Sequence, residues 1–207
     1  MTKQQLLDKI ADKIAATNGE PFGLGLNPVP GEGNPDAEIL FIGEAPGATE
    51  DQLGRPFVGV SGQLLRRTMA ENGFKPEEVF ITNIVKFRPP ENRDPLPAEI
   101  EFFRPFLDKQ IEIINPKIIV TLGRFSMFKF LGEGVSISRV HGWSRRIGKY
   151  TVFPMFHPAA ALRAGDMMKM FLEDFKKLRE LVENFDKPKE VEKVPPPKVD
   201  PKQLELI

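Results

Sequence analysis

The feature that most constrains this chain is a set of four short apolar runs set apart by helical stretches. They are residues 37–42 (AEILFI), 79–85 (VFITNIV), 117–122 (KIIVTL) and 150–155 (YTVFPM). The first and third stop at glycine, the second runs into a Pro/Arg/Asn loop over 86–96, and the fourth carries Pro154 near its end. Runs this short and this continuously apolar predict strands buried on both faces. Helical spacing lies between and around them. It covers residues 2–16 (with Leu6, Leu7, Ile10 and Ile14), 61–72, 98–114 (closed by Asn115-Pro116), 124–131 and 167–184. Residues 18–35 are rich in Gly, Pro and Asn and read as loop. Strands alternating with helices predict an α/β fold: three α/β/α layers around a central four-stranded parallel sheet. Sites in such sheets form where loops leave the C-terminal strand ends. That rule selects four segments: GEAPGATED, TNIVKFRPP, LGRFS and FHPAAAL.

Composition narrows the chemistry. At 207 residues the chain has enough material for one full core and little for two. A single domain over 1–185 is expected, followed by a Pro/Lys-rich tail over 186–207 with too little apolar surface to pack. Lysine plus arginine and aspartate plus glutamate are 29 each, so net charge gives no sign of nucleic-acid binding and any such contact must come from a local patch. There is no cysteine. That excludes disulfides, thiolate zinc sites, cysteine nucleophiles and cysteine-ligated iron–sulfur clusters. With only His141 and His157, a multi-histidine metal site is not expected either. No apolar run reaches the ~18 residues a membrane span needs. The first residues carry acids and lack a continuous apolar stretch, unlike a signal peptide, so the expected location is the cytoplasm.

Each selected segment has a chemical and a plain structural interpretation. Gly43 to Asp51 places two glycines around Pro46 directly after a strand, then adds carboxylates. It lacks the spacing of a Walker loop or a dinucleotide fingerprint. Its acids can orient a water, or they can cap a strand-to-helix turn. Phe57 sits in a Gly/Pro loop rather than on a periodic face. It can offer its ring to a flat base, or close the core. Gly59, Ser61 and Gly62 precede a helix, where amides and a hydroxyl suit a phosphate. Asn83 ends an apolar strand. Its amide can read a pyrimidine edge, or it can be bonded to backbone. His157, between a strand and Pro158, can hydrogen-bond a leaving-group oxygen, or it can be structural. The small residues after it would let a loop approach a groove, with Leu162 as a wedge.

Taken in order, GEAPGATEDQLGRPFVG, ITNIVKFRPPENRDP, TLGRF and HPAAAL resemble the family 4 uracil-DNA glycosylases over about residues 31–177. The resemblance implies hydrolysis of the N-glycosidic bond of deoxyuridine, leaving an abasic site for base excision repair. It assigns stacking on the extruded uracil to Phe57, recognition of the N3–O4 edge to Asn83, and the O2 contact that stabilises the departing base to His157. Glu44, with the backbone of Gly43, Ala45 and the residues up to Gly47, would position the attacking water, and Glu50 would shape the pocket. Gly59, Ser61, Gly62, Arg88, Ala159, Leu162 and Arg163 would contact DNA. Arg55, Lys86, Arg93, Arg124, Arg145 and Arg146 are further basic residues that could follow the backbone. Single- and double-stranded DNA containing uracil are the implied partners, and a monomer is the implied state. No lysine matches a Schiff-base position, so no lyase step is expected.

The chain departs from that family in one respect. The family holds an iron–sulfur cluster with four cysteines, whose positions fall here near Ala16, near Gly19, at Phe87 and at Phe103. No cofactor and no metal are therefore expected, apolar packing is expected to fill the space, and the loop over 18–30 is expected to be less rigid. An alternative function is a non-catalytic uracil- or DNA-binding accessory module, which could lose the groups that stabilise the transition state. Relatives that trap uracil covalently carry a basic, histidine-containing insertion after the second strand, and KFRPPENRDPLP has none. The end of the tail, QLELI, weakly resembles a sliding-clamp peptide without its aromatic pair. A weak clamp contact and a plain solvated tail are its two interpretations.

Overall fold

In the computed structural model, which describes residues 1–185, the four expected strands form the middle of one sheet. These are β2 (Ile39–Gly43), β3 (Val79–Asn83), β4 (Ile118–Leu122) and β6 (Tyr150–Met155). They lie side by side, all parallel, in the order β3-β2-β4-β6. Every residue of β2, β3 and β4 is buried. The reason is visible in the alternation. Ile39 and Phe41 point into one core with Val79, Ile81, Ile118 and Val120, while Leu40 and Ile42 point into the other with Phe80 and Ile119. A strand whose two faces both meet helices has no use for alternating polar residues.

Two short strands extend the sheet at its edges, giving six in all, two more than the sequence predicts. β1 (Glu32–Gly33) pairs antiparallel with β3, and β5 (Arg145–Ile147) pairs antiparallel with β6. Neither carries an apolar rhythm. β1 is two residues long, and its Gly33 approaches so closely that a Cβ there would lie 2.3 Å from the Val79 carbonyl oxygen. β5 is largely exposed and polar, as an edge strand tends to be.

On one face pack α3 (Val60–Glu71) and the long α8 (Gly165–Glu183), with Leu64, Leu65, Phe171, Phe175 and Leu178 in the core. On the other pack α1 (Lys3–Ala15) and α4 (Pro97–Ile114), through Leu7, Ile10, Ile14, Phe103, Leu107 and Ile111. α1 starts at a reciprocal cap between Thr2 and Gln5, and α4 starts with Pro97, whose missing N–H is not needed there. The helices α2 (Ala48–Leu53), α5 (Arg124–Leu131), α6 (Ile137–Val140) and α7 (Pro158–Arg163) are short. Of these, α2 and α7 fall in segments that read as loops, because a helix of six residues leaves almost no periodicity.

The chain moves from β2 to β3 on one side and then crosses to β4 on the other, so strand order reverses at β2. The carboxyl ends at such a reversal open a crevice between the outgoing loops. The expectations for residues 186–207, including any clamp contact, fall outside the described residues.

Candidate active site

That crevice is a cleft of about 650 Å³. Glu44, Ala45, Glu50, Phe57, Ser61, Asn83, His157, Ala159 and Arg163 all line it, although they are spread over nearly 120 positions of the chain. Gly43 lies directly behind: a Cβ there would fall 2.4 Å from both Asn83 Oδ1 and Phe57 Cζ. Only glycine leaves the space in which the amide and the ring meet.

Phe57 does two things at once. It is 4% exposed and belongs to the core under α3, yet its ring also lines the cleft, 5.8 Å from the His157 ring and tilted by 34°. Its backbone is left-handed, with φ +52, a conformation that costs a non-glycine residue roughly 1–3 kcal/mol. Four contacts hold it there. Arg66 donates from Nε to the Phe57 carbonyl at 2.8 Å and from a terminal nitrogen to the Pro56 carbonyl at 2.7 Å. Glu50 Oε1 accepts the next two amides, Val58 at 2.9 Å and Gly59 at 2.7 Å. Arg66 is itself held by Glu32, which also pairs with Arg55. Arg66 and Glu32 lie 34 positions apart, and no local pattern links them.

Asn83 is 1% exposed, and its Oδ1 is fully buried with no hydrogen-bond partner. A buried acceptor left unpaired costs about 1–3 kcal/mol. The backbone-bonded interpretation of this asparagine would have given that oxygen a donor. Instead that oxygen is left without a donor, in a residue that lines the cleft.

His157 caps α7, and its Nδ1 accepts the Ala159 amide at 3.2 Å. With Nδ1 accepting, the proton of the neutral ring sits on Nε2. Burial lowers the pKa to about 4, and the Arg163 charge adds to the effect, so the ring is neutral at physiological pH. Glu44 behaves in the opposite sense. Burial raises its carboxyl to about 7. The Phe125 amide, donating at 3.2 Å, and the Arg124 guanidinium oppose that rise, and Asp94 adds to it. Gly123 makes room for this carboxylate, since a Cβ there would lie 2.3 Å from Glu44 Oε1.

Some other candidates are placed differently from their expected roles. The Gly59 amide is already given to Glu50, so it is not open to a phosphate. Gly62 is buried, and a Cβ on it would lie 2.0 Å from the Phe57 backbone, so it packs the loop. Arg88 bonds Asn92 and lies on a separate small depression with Gly23 and Leu24. Leu162 is 46% exposed on α7, beside the cleft-lining Ala159, Ala160 and Arg163. Lys86 is a correction: it is fully buried, not a surface cation. The cleft also includes Arg93, Asp94 and Arg124, with Asp94 paired to Arg124 and Arg93 to Glu99. Asp94 was not anticipated, because its pairing with Arg124, 30 positions away, is set by tertiary structure.

The four positions implied for cluster ligands do not fit a cluster. Ala16 and Gly19 offer no ligand atom, and Phe87 and Phe103 are fully buried with rings 6.0 Å apart. Phe103 also meets Phe102 edge-on at 5.0 Å, and Phe102 meets Phe22 of the N-terminal loop at 5.6 Å. Among the described residues no group of three or more His, Cys, Asp or Glu is placed to hold a metal.

Comparison with known proteins agrees with this geometry. The family model described as the uracil DNA glycosylase superfamily matches residues 30–181. The chain is 54% identical over 185 residues to a type-4 uracil-DNA glycosylase of Sulfurisphaera tokodaii, covering 84% of each chain. It is 49% identical to that of Saccharolobus solfataricus, covering 84% of this chain and 85% of the relative. It is 41% identical to that of Thermotoga maritima, covering 87% and 97%. With those matches spanning the cleft and the sheet beneath it, the chain belongs to the uracil DNA glycosylase superfamily and groups with its type-4 members.

Proposed function

We propose that this protein removes uracil from DNA by hydrolysing the N-glycosidic bond, as a monofunctional glycosylase that leaves an abasic site. One observation carries the reading: the unpartnered Asn83 Oδ1, buried in the same cleft as the Phe57 ring and the His157 imidazole. Uracil supplies what these three groups lack. Its face stacks on Phe57, its N3–H donates to Asn83 Oδ1, and its O2 accepts from the neutral His157 Nε2–H. Cytosine carries no proton at N3 and would meet the same oxygen with a lone pair, so the acceptor discriminates between the two bases.

As the bond breaks, negative charge collects on the uracil ring and positive charge on the sugar. A neutral imidazole donor stabilises the first without having to give up its proton. The Glu44 carboxylate stabilises the second and takes a proton from the water that attacks C1′. Glu50 supports the reaction at one remove, by holding the loop that carries Phe57. Arg163, Ser61 and Ala159 line the cleft where the DNA strand would lie, and the exposed Leu162 would fill the gap left by the extruded base. No step passes through a cofactor. The reading includes action as a monomer in the cytoplasm on single- and double-stranded DNA.

The test is release of uracil from a labelled oligonucleotide with one deoxyuridine, using wild type, Asn83→Ala and His157→Ala, with alkali to cut abasic sites. Alkali-labile sites from the wild type, reduced about 100-fold or more in each variant, are expected. A folded wild type that binds the strand but releases no base would replace the glycosylase by a binding module.

A further inference from the structure

Lys86 is a lysine with no access to solvent, placed immediately behind the proposed uracil reader. Its Nζ donates three hydrogen bonds of 2.7 Å, to Thr82 Oγ1, to the Asn83 carbonyl and to Gln110 Oε1. Both side-chain partners are tied onward to one atom. Thr82 Oγ1 and Gln110 Nε2 each donate to the Pro30 carbonyl at 2.8 Å. The network therefore joins the loop before β1, the end of β3 and the C-terminal half of α4.

Its effect on Asn83 follows from the peptide that links Asn83 to Ile84. The carbonyl of that peptide accepts from Lys86, and its N–H donates to the Gly43 carbonyl at 3.1 Å. One residue on, the Val85 amide donates to the Glu44 carbonyl at 3.0 Å. The plane is thus gripped on both sides, by an amine from behind and by the end of β2 from the front. With the plane fixed, the direction in which the Asn83 side chain leaves the backbone is fixed too. The Asn83 Oδ1 has no bond of its own to hold it. We propose that Lys86 is a positioning residue for uracil recognition, setting the Asn83 amide through its backbone.

Packing alone gives no reason for an amine here. A methionine would fill nearly the same volume without the penalty of burying a cation. Burial pushes the Lys86 pKa well below the ordinary lysine range, and the charge of Lys129 pushes the same way. The three acceptors pull in the other direction, because only the protonated form has three N–H donors to give them.

This inference rests on the uracil-excision reading, and the test separates the two. Excision from a single-stranded deoxyuridine oligonucleotide is measured in a double-mutant cycle of Lys86→Met and Asn83→Ala, alongside the inhibition constant of free uracil. Lys86→Met is expected to lower kcat/KM by about 10- to 100-fold when Asn83 is present, as a displaced recognition group does. It is expected to weaken free uracil by a similar factor, and to change kcat/KM by less than about threefold when Asn83 is already alanine. Equal losses in both backgrounds, or an unchanged uracil inhibition constant beside a lowered rate, would show a general structural role and overturn the proposal. If Lys86→Met does not fold, Gln110→Leu takes its place in the cycle, since it removes one of the three acceptors, and the same outcomes decide. If Asn83→Ala alone leaves excision unchanged, the recognition reading fails and the role of Lys86 falls with it.

Discussion

Replacing Glu44 by glutamine should make the protein more stable and less active at the same pH. The carboxyl is held at about 7, against an ordinary 4.5, chiefly by burial. A carboxyl whose folded pKa lies above its unfolded one binds its proton more tightly in the folded state. Its contribution to stability is complete below about pH 4.5 and is lost as pH rises through about 7. Over that interval, at about 1.4 kcal/mol per pH unit, the loss reaches about 3 kcal/mol. Glutamine has the same shape and can still accept the Phe125 amide, but it carries no charge to desolvate. Melting temperatures of the wild type and Glu44→Gln, followed from pH 4 to 8.5, should therefore lie close together at the acid end. They should separate by about 6–12 °C above pH 7.5, with the variant higher. Excision should move the other way. Wild-type kcat should fall as pH drops through about 7 while His157 stays neutral down to about 4, and Glu44→Gln should be about 100-fold or more slower without that inflection. A melting difference that does not change with pH would mean that Glu44 is not held protonated by its surroundings, and the reasoning would fail.

Two further substitutions probe other parts of the structure. Gly43→Ala puts a methyl group 2.4 Å from Asn83 Oδ1 and from the Phe57 ring. It should cost about 1–3 kcal/mol in a denaturant melt and lower kcat/KM by about 100-fold, whereas near-normal activity would mean that the two groups do not share one base. Phe103→Ala empties the centre of the aromatic contacts beside α1 and should cost about 3–5 kcal/mol. Because Phe103 does not line the cleft, kcat/KM at 25 °C should stay within about threefold of wild type, and a larger loss would tie the brace to the chemistry.

What could be read from the sequence follows from how each feature is made. The four inner strands were legible because burial on both faces forces a continuous apolar run, and helices of three turns or more show their period. Asn83 and His157 stood out because a polar group at the end of an apolar strand needs a reason, and the structure places both in the cleft. β1 and β5 were invisible, since two or three residues at an edge carry no periodicity. Lys86 was read as a surface cation because lysine is rarely buried, although it directly follows the apolar run 79–85 and precedes Phe87 in the sequence. The Arg66–Glu32 hold on the Phe57 loop could not be anticipated, because it joins residues that only the finished sheet brings together.

The paired phenylalanines at 87 and 103 change what this protein is sensitive to. A brace of iron and thiolate fails chemically, when a chelator strips the metal or an oxidant attacks the sulfur. Aromatic rings offer neither a metal to lose nor a thiol to oxidise, and they need no assembly machinery to be put in place. Their cohesion is hydrophobic instead, and it weakens on cooling. The segment around Phe22, Phe87, Phe102 and Phe103 is thus held by contacts that depend on temperature and not on iron supply, and cold should loosen it where oxidants and chelators would not.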